Sequence, residues 1–372
     1  MPINTTIKCF VDNIHVILTG DFSTGNIDLN RLTNLALYRI AHKEAFGKRI
    51  KLPALTPEEK DALKLFWKNY CIFKSDKYHR LYKQMTGNFF PEYIPEDVMW
   101  MYVDRYLSDR KESAIADNKC DYYEIFKGLS MPIAYALRKN EVWTNPQGDL
   151  LSSQEVLDII RSHEEVVIKK ATDSECGMGV FFVRGKDITD DDFANYLSID
   201  TDLVIQEVVK QHPVLSKPHP SSVNCYRIDT YVLDGKANFA SCDLKIGGAD
   251  SRTDNTHQNG ANIAINQDGE IMDLVYSDIY TCVDEIPGLN AGMNAPGFHD
   301  AVRLCLEAHL RVPQFRFIGW DIAITEDETP TIIEANFSLS GIRYDQNCSP
   351  LFGTNTRAIL DEVFKGRRKL FL

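Results

Sequence analysis

The sequence lacks the features that mark several broad protein classes. No apolar run approaches the ~18 residues that a membrane-spanning helix needs; charges interrupt each hydrophobic stretch. The opening segment MPINTTIKCFVDNIHVILTG carries Lys8 and Asp12 inside its apolar stretch, with no small-residue cleavage site after it. A secretory leader is therefore not expected. The nine cysteines stand singly, without a C-x-x-C pair or a histidine cluster at zinc spacing. That argues against a zinc module or disulfide framework and for reduced thiols in a cytosol. The loop G-x-x-x-x-G-K-[ST] is missing, which excludes that type of phosphate site. Internal repeats and low-complexity segments are also missing.

What is present is ordinary for a folded chain: 44% hydrophobic, 25% charged and 10% aromatic residues over 372 positions. That length gives two or three lobes and an ample core. The formal charge of −12 argues against a general nucleic-acid binder. It is unevenly spread. Residues 1–113 hold 17 Lys/Arg against 14 Asp/Glu, whereas the rest hold 24 against 39. An acidic body suits a protein that holds divalent cations, and solubility explains it equally well. Lys43, Lys48, Arg49 and Lys51 in the basic segment are either a contact for an anionic substrate or a solvated helix face.

Residues 1–115 read as a mainly helical region. Thr56-Pro57-Glu58-Glu59 is a capping-box start, followed by Leu63, Phe66, Trp67 and Tyr70 at helical spacing. Pro95-Glu96-Asp97 opens a second helix. Beyond about residue 114, short strands and helices alternate, an α+β texture that we divide into 116–205 and 206–372. Strands are expected at 166–170, 180–185 and 202–209, and helices from Ser153, Thr189 and Pro296. Hairpins are expected over 224–248, turning at Leu233-Asp234-Gly235-Lys236, and over 318–336.

The last hairpin, IGWDIAITEDETPTIIEAN, carries the most chemistry. Counting outward from the middle of its polar turn sets Asp321 opposite Glu334, with β-carbons about 5 Å apart. Asn336 lies on the same face, and Ile318, Trp320, Ile322 and Ile324 lie on the other, facing Ile333 and Ala335. Opposed carboxylates destabilise a sheet unless something offsets them, and a hard divalent cation does so. A solvated pair of acids is the plainer reading.

Lys169 and Lys170 end a buried strand before Asp173-Ser174-Glu175-Cys176-Gly177-Met178-Gly179, a loop whose glycines let backbone amides approach phosphate. An ordinary hairpin loop explains the glycines as well. Gln206, Glu207, Val208 and Val209 end the next strand, where backbone groups can meet an adenine edge. Lys119 precedes a helix, and Arg227 and Lys245 sit inside strands, each either paired with a carboxylate or holding a phosphoryl group.

Taken together, DNKCDYYEIFKGLSMPIAYA, VVIKKATDSECGMGVFFV, LVIQEVVKQHPVL, SVNCYRIDTYV, DNTHQNGANIAI and IGWDIAITEDETPTIIEANFS resemble the sugar-transfer-associated ATP-grasp family. The resemblance spans most of 117–340. It implies ATP clasped between two α+β lobes after a helical N-terminal region. By position, Lys119 and Lys169 contact phosphates, Glu207 to Val209 frame the adenine, and Arg227 reaches the γ-phosphate. Asp321, Glu334 and Asn336 hold Mg²⁺, as two ions, with Mn²⁺ an alternative. Gln211 or His212 would meet the ribose.

The chain departs from the family pattern in two places. Lys169-Lys170 replaces a lysine-proline, which leaves the contacting lysine open. Phe337-Ser338-Leu339-Ser340-Gly341 replaces a proline-glycine turn beside the acceptor site. Asp254, Asn255, His257 and Asn259 would line the cleft, and Arg252 and Arg343 are candidates to grip a substrate carboxylate, Arg343 alternatively pairing with Asp345.

The implied chemistry joins a small-molecule carboxylate to an amine through an acyl phosphate. An amino acid joined to a sugar acid or amino sugar, in polysaccharide or other small-molecule biosynthesis, is the pathway the family association suggests. A kinase acting on a sugar or polyol hydroxyl is the alternative, and a non-catalytic nucleotide scaffold a lesser one. No nucleic-acid or membrane partner is expected, and the oligomeric state, a homodimer included, is open.

Overall fold

Local capping signals start several helices where the sequence places them. Thr56 caps the helix Pro57–Trp67 reciprocally: Glu59 N–H donates to Thr56 Oγ1 at 3.2 Å, and Thr56 N–H donates to Glu59 Oε2 at 2.7 Å. The same box opens Ser153–Ser162 at Ser152 and Asp190–Leu197 at Thr189. Beyond Pro95 the chain forms Glu96–Val98, a π turn at Met99–Val103 and Asp104–Leu107 in one run, with the π-turn side chains buried. Leu29–Phe46 and Lys77–Thr86 complete the described N-terminal helices. The computed structural model describes residues 29–47, 51–70, 75–109, 112–113, 116–172, 179–248, 251–253, 260–278, 281–282, 286–338 and 341–365.

The core of this helical region is closed by a distant part of the chain. Leu63, Phe66, Trp67, Trp100 and Val103 pack with Ile359, Leu360, Val363 and Phe364 of the helix Thr356–Phe364. Tyr231 and Phe317 belong to the same cluster and seat it on a sheet.

Two antiparallel sheets follow. The first contains β1 (Ala134–Lys139), β2 (Val142–Thr144), β3 (Leu150–Leu151), β4 (Glu165–Lys170), β5 (Val180–Arg184) and β6 (Leu203–Glu207), in the order β3-β2-β1-β6-β4-β5. One face carries Ala136, Val166, Ile168, Leu203 and Ile205 against Val156, Leu157, Ile160 and Phe193 of the two capped helices. By alternation Val167 and Lys169 point to the other face, opposite Gln206 and Val204.

The second sheet contains β7 (Tyr226–Leu233), β8 (Lys236–Ile246), β9 (Ala261–Ile265), β10 (Ile271–Asp278), β11 (Thr281–Cys282), β12 (Phe317–Ile324) and β13 (Pro330–Asn336). Its order is β11-β10-β9-β8-β7-β12-β13. The β7–β8 turn lies where expected, with Asp234 and Gly235 both at positive φ as a two-residue loop of this twist demands. Tyr226, Ile228, Cys242, Leu244, Ile318, Trp320 and Ile322 form the core with Phe298, Ala301, Cys305 and Ala308 of Phe298–His309. The opposite face is polar, and it carries the site.

A short segment joins the two sheets. Lys119 N–H donates to Ala171 O at 3.0 Å, just past the end of β4, and the Tyr122 hydroxyl donates to Ala335 O on β13 at 2.9 Å. Replacing Tyr122 by Phe removes a buried neutral hydrogen bond and should lower the unfolding free energy by about 1 kcal/mol, measured by urea denaturation.

Candidate active site

The β12–β13 hairpin sets the geometry. Asp321 pairs with Glu334 and Gly319 with Asn336, as counting from the turn predicts. One residue differs from that count. The pairing passes from Asp321–Glu334 to Ile322–Ile332, which leaves Ile333 as the extra residue of a β-bulge. The bulge brings Ile332, not Ile333, to the core beside Ile322. Asn336 Nδ2 donates to Gly319 O at 3.1 Å, which fixes the amide and reserves its oxygen for another partner. Two opposed carboxylates with one amide oxygen are hard donors, the set that suits Mg²⁺ together with phosphate oxygens.

Cations from the second sheet and from the segment that joins the two sheets meet these acids. Arg227, the register partner of Asp321 on β7, donates through Nε to Asp321 Oδ1 at 2.8 Å and through Nη2 to Oδ2 at 3.1 Å. Lys245 Nζ reaches Asp321 Oδ1 at 3.3 Å from β8. Burial alone would raise the Asp321 pKa, but Arg227 and Lys245 outweigh it and hold the carboxyl below its usual range. Lys119 Nζ lies 2.9 Å from Glu334 Oε1. Sequence reasoning left Arg227 and Lys245 open between a carboxylate and a phosphoryl group; both stand on Asp321, the proposed metal ligand.

Lys169 is buried on the cleft-side face of the first sheet, and burial followed by the Lys119 charge depresses its ammonium to about 8. Lys170 alternates to the other side and packs along Gly179, whose φ of +81° and close approach to the Lys170 chain leave no room for a side chain. The two adjacent lysines, ambiguous in sequence, thus have different surroundings.

Glu207, Val208, Val209 and Lys210 line a cleft of about 270 Å³ with Thr325, Glu326, Asp327 and Thr331 of the hairpin turn. The Glu207 carboxylate accepts from Ile133 N–H at 2.8 Å. Gln206 is buried, its Oε1 3.5 Å from the Tyr123 hydroxyl. Gln211 Nε2 donates to Asn224 O at 2.6 Å while its buried Oε1 has no donor. His212 is structurally engaged: Nδ1 accepts from Val214 N–H at 3.2 Å, and Nε2 lies 3.4 Å from Glu328. Of the two ribose candidates, Gln211 keeps an uncommitted atom.

The acceptor-side candidates separate. Gly177, Asn255, Asn259 and Ser340, with Asp254 and His257, lie outside the described residues. Ser338 Oγ accepts from Ser113 Oγ at 3.3 Å. Arg252 does not face the carboxylate hairpin: it grips Glu165 of β4 through two 2.8 Å bonds and stacks 3.6 Å over the Phe182 ring. Arg343 pairs not with Asp345 but with buried Glu96, Nε to Oε1 at 3.0 Å, and Gly341 passes close to the same carboxylate. Sequence reasoning missed Glu96 as its partner, because Glu96 lies 247 positions away. Arg343→Met would strip a buried carboxylate of this charge and should cost roughly 3 kcal/mol or more, read as a lower midpoint in chemical denaturation.

Sequence reasoning also missed Asp229, Asp243 and Asp345, all buried on the face that carries Arg227 and Asp321. The one signal was the alternation Arg227-Ile228-Asp229 on β7.

No curated protein matches the chain significantly. Solved structures similar to it include the ATP-grasp ligase PsnB complexed with minimal precursor, at 14% identity and a TM-score of 0.38 over 68% of this chain and 62% of that one. The L-amino acid ligase from Bacillus licheniformis matches at 14% identity and a TM-score of 0.40, over 68% and 48%. The biotin carboxylase domain of the Hydrogenobacter thermophilus 2-oxoglutarate carboxylase matches at 10% and 0.42, over 68% and 46%. The chain thus spans between about half and three fifths of the length of these proteins. The model of the sugar-transfer-associated ATP-grasp family matches residues 101–347, two thirds of the sequence, and the chain belongs to that family.

Proposed function

We propose that this protein is an ATP-dependent carboxylate–amine ligase. The observation that carries the reading is the β12–β13 hairpin, which links two parts of one nucleotide site. Its turn, Thr325 to Asp327, lines the cleft opposite Glu207–Lys210. Four residues back along β12, roughly 13 Å at the rise of a strand, stands Asp321 with Glu334 and Asn336. Adenine in the cleft would leave the triphosphate running along the hairpin toward the carboxylates and toward Lys119 and Lys169.

Two Mg²⁺ ions, with Mn²⁺ as a substitute, fit the hard donors Asp321, Glu334 and Asn336 and would neutralise charge on the phosphates. Lys119 from the joining segment and Lys169 from the first sheet supply positive charge, while Arg227 and Lys245 orient Asp321. The substrate carboxylate attacks the γ-phosphorus, the bond to the β-phosphate oxygen breaks and ADP leaves. An amine then attacks the acyl carbon, inorganic phosphate departs and the amine gives up a proton. On the family's sugar-transfer association we extend the proposal to acids and amines of sugar-modifying or surface-polysaccharide pathways in the cytoplasm, with an amino acid as one partner.

Hydroxylamine tests the reaction. With Mg²⁺, ATP and a panel of amino acids, uronic acids and small carboxylates, the expected products are a hydroxamate, ADP and phosphate. A phosphorylated product without hydroxamate would establish a kinase instead. Glu334→Gln should lower ATP turnover by about 100-fold or more with the melting temperature little changed; unchanged turnover removes the metal assignment.

Lys169 adds a pH dependence. Its folded value near 8 lies below the ordinary lysine value of 10.5. Bound phosphate favours the charged form, so binding takes up a proton above pH 8. MgATP affinity should therefore fall by up to about tenfold per pH unit above 8. Calorimetric titrations at pH 7, 8 and 9 should show this step in the wild type and not in Lys169→Arg, which stays charged throughout.

A further inference from the structure

Next to the Arg227–Asp321 pair lies a second polar group that the ATP chemistry leaves unused. Arg227 pairs with Asp243 and Asp229 with Ser241, so these side chains share one sheet face. Asp345, from the chain beyond β13, lies within hydrogen-bonding reach of both Asp229 and Asp243. Asn347 enters from the same segment and directs its side chain into the group, donating through Nδ2 to Asp243 Oδ1 at 3.4 Å. Relative exposures are 0% for Asp229, 3% for Asp243, 7% for Asp345 and 2% for Asn347.

The group is rich in acceptors, and burial with the neighbouring acids raises Asp345 well above the usual carboxylate range, so that it keeps a proton to share with Asp229 or Asp243. Ser241 Oγ donates to Asp229 Oδ2 at 3.1 Å. Asp229 Oδ1 and Asn347 Oδ1 are buried with no hydrogen-bond partner. An unsatisfied buried acceptor costs about 1–3 kcal/mol, more when charged, and three acids at contact distance repel one another. Arg227 commits its fork to Asp321. Among the described residues, no set of three or more His, Cys, Asp or Glu side chains has the geometry to hold a metal. The proton on Asp345 leaves Asp229 Oδ1 and Asn347 Oδ1 unserved, and an alkylammonium brings three donors and one charge.

We propose that Asp229, Asp243, Asp345 and Asn347 form the site that takes the protonated primary amine of the acceptor substrate. This rests on the ligase reading and gives its amine a chemical class. Asp243 is directly across from Arg227, one strand spacing of about 5 Å away, so the amine stands beside the phosphate chemistry. Tyr231 and Phe317, farther along the same face, are covered by the helical region, which closes the site on that side. Three acids disfavour a carboxylate next to the amine, so an amino sugar or alkylamine fits and the α-amino group of a free amino acid does not. Burial, reinforced by Asp229, raises Asp243 to about 7, a value suited to accepting the proton that the ammonium sheds before it attacks.

The test is calorimetric titration of ethanolamine, 1,4-diaminobutane and D-glucosamine, with glycine as the contrast, into the full chain loaded with MgADP. At least one of the first three should bind, with Asp243→Asn and Asn347→Ala each weakening it tenfold or more and leaving MgADP affinity unchanged. Binding by none of the three, or equal binding by a folded variant of either kind, overturns the proposal. Glycine binding as tightly as ethanolamine overturns the assigned substrate class. Should Asp243→Asn fail to fold, Asn347→Ala, which removes no charge, decides the matter. Amine heats on this complex and hydroxamate formation by the wild type are separate measurements, so this inference and the ligase reading fail separately.

Discussion

A carboxylate buried on a sheet face persists only where cations face it, and the polar face of the second sheet is organised around one such case. Asp321 receives two hydrogen bonds from Arg227 on one neighbouring strand, and a third from Lys245 one strand farther. Its other neighbour contributes Glu334, held in turn by Lys119 from the segment that joins the two sheets. The strand order β8-β7-β12-β13 thus sets two cations, Lys245 and Arg227, beside two carboxylates, Asp321 and Glu334. Shifting any of these strands by one residue would turn its charge into the apolar core.

Much of this arrangement was legible in the sequence, and what was not has a definite physical cause. The pairing of Asp321 with Glu334 and the capping boxes at Thr56, Ser152 and Thr189 follow from local rules of turn symmetry and helix starts. The bulges do not. In β7–β8 the pairing passes from Asp229–Ser241 to Thr230–Phe239, making Ala240 an extra residue. Counting from the correctly placed turn pairs Arg227 with Cys242 and sends Asp243 to the core side. The bulge reverses this and sets Asp243 against Arg227. Asp345 and Asn347 enter the same group from about a hundred residues away, a distance that no periodicity spans. The pairing of Arg343 with Glu96 was hidden for the same reason.

The polar face is divided by what covers it. At one end, the segment 118–122 and β4 bring lysines over the carboxylate hairpin. At the other, the helical region seals Tyr231 and Phe317 from water. The acidic group at Asp229 and Asp243 lies between them, where the environment changes from charged to apolar. Burial there raises both acids well above ordinary aspartates, to about 6 and about 7, whereas Asp321, in the same sheet and equally enclosed, is held low by its two cations. Nearly identical burial thus gives shifts of opposite direction, decided by whether cations hydrogen-bond directly to the carboxylate.

The shared core of the N-terminal helices and the helix Thr356–Phe364 has a consequence for the order in which the molecule is built. Residues such as Phe66 and Trp67 leave the ribosome long before Leu360 and Phe364, and until then their apolar faces have no closing partner. Contacts of such long sequence separation close late, so these N-terminal helices gain their closing partner only after residues 356–364 have been made. The polar face beside Tyr231 and Phe317 is therefore covered only by that late contact.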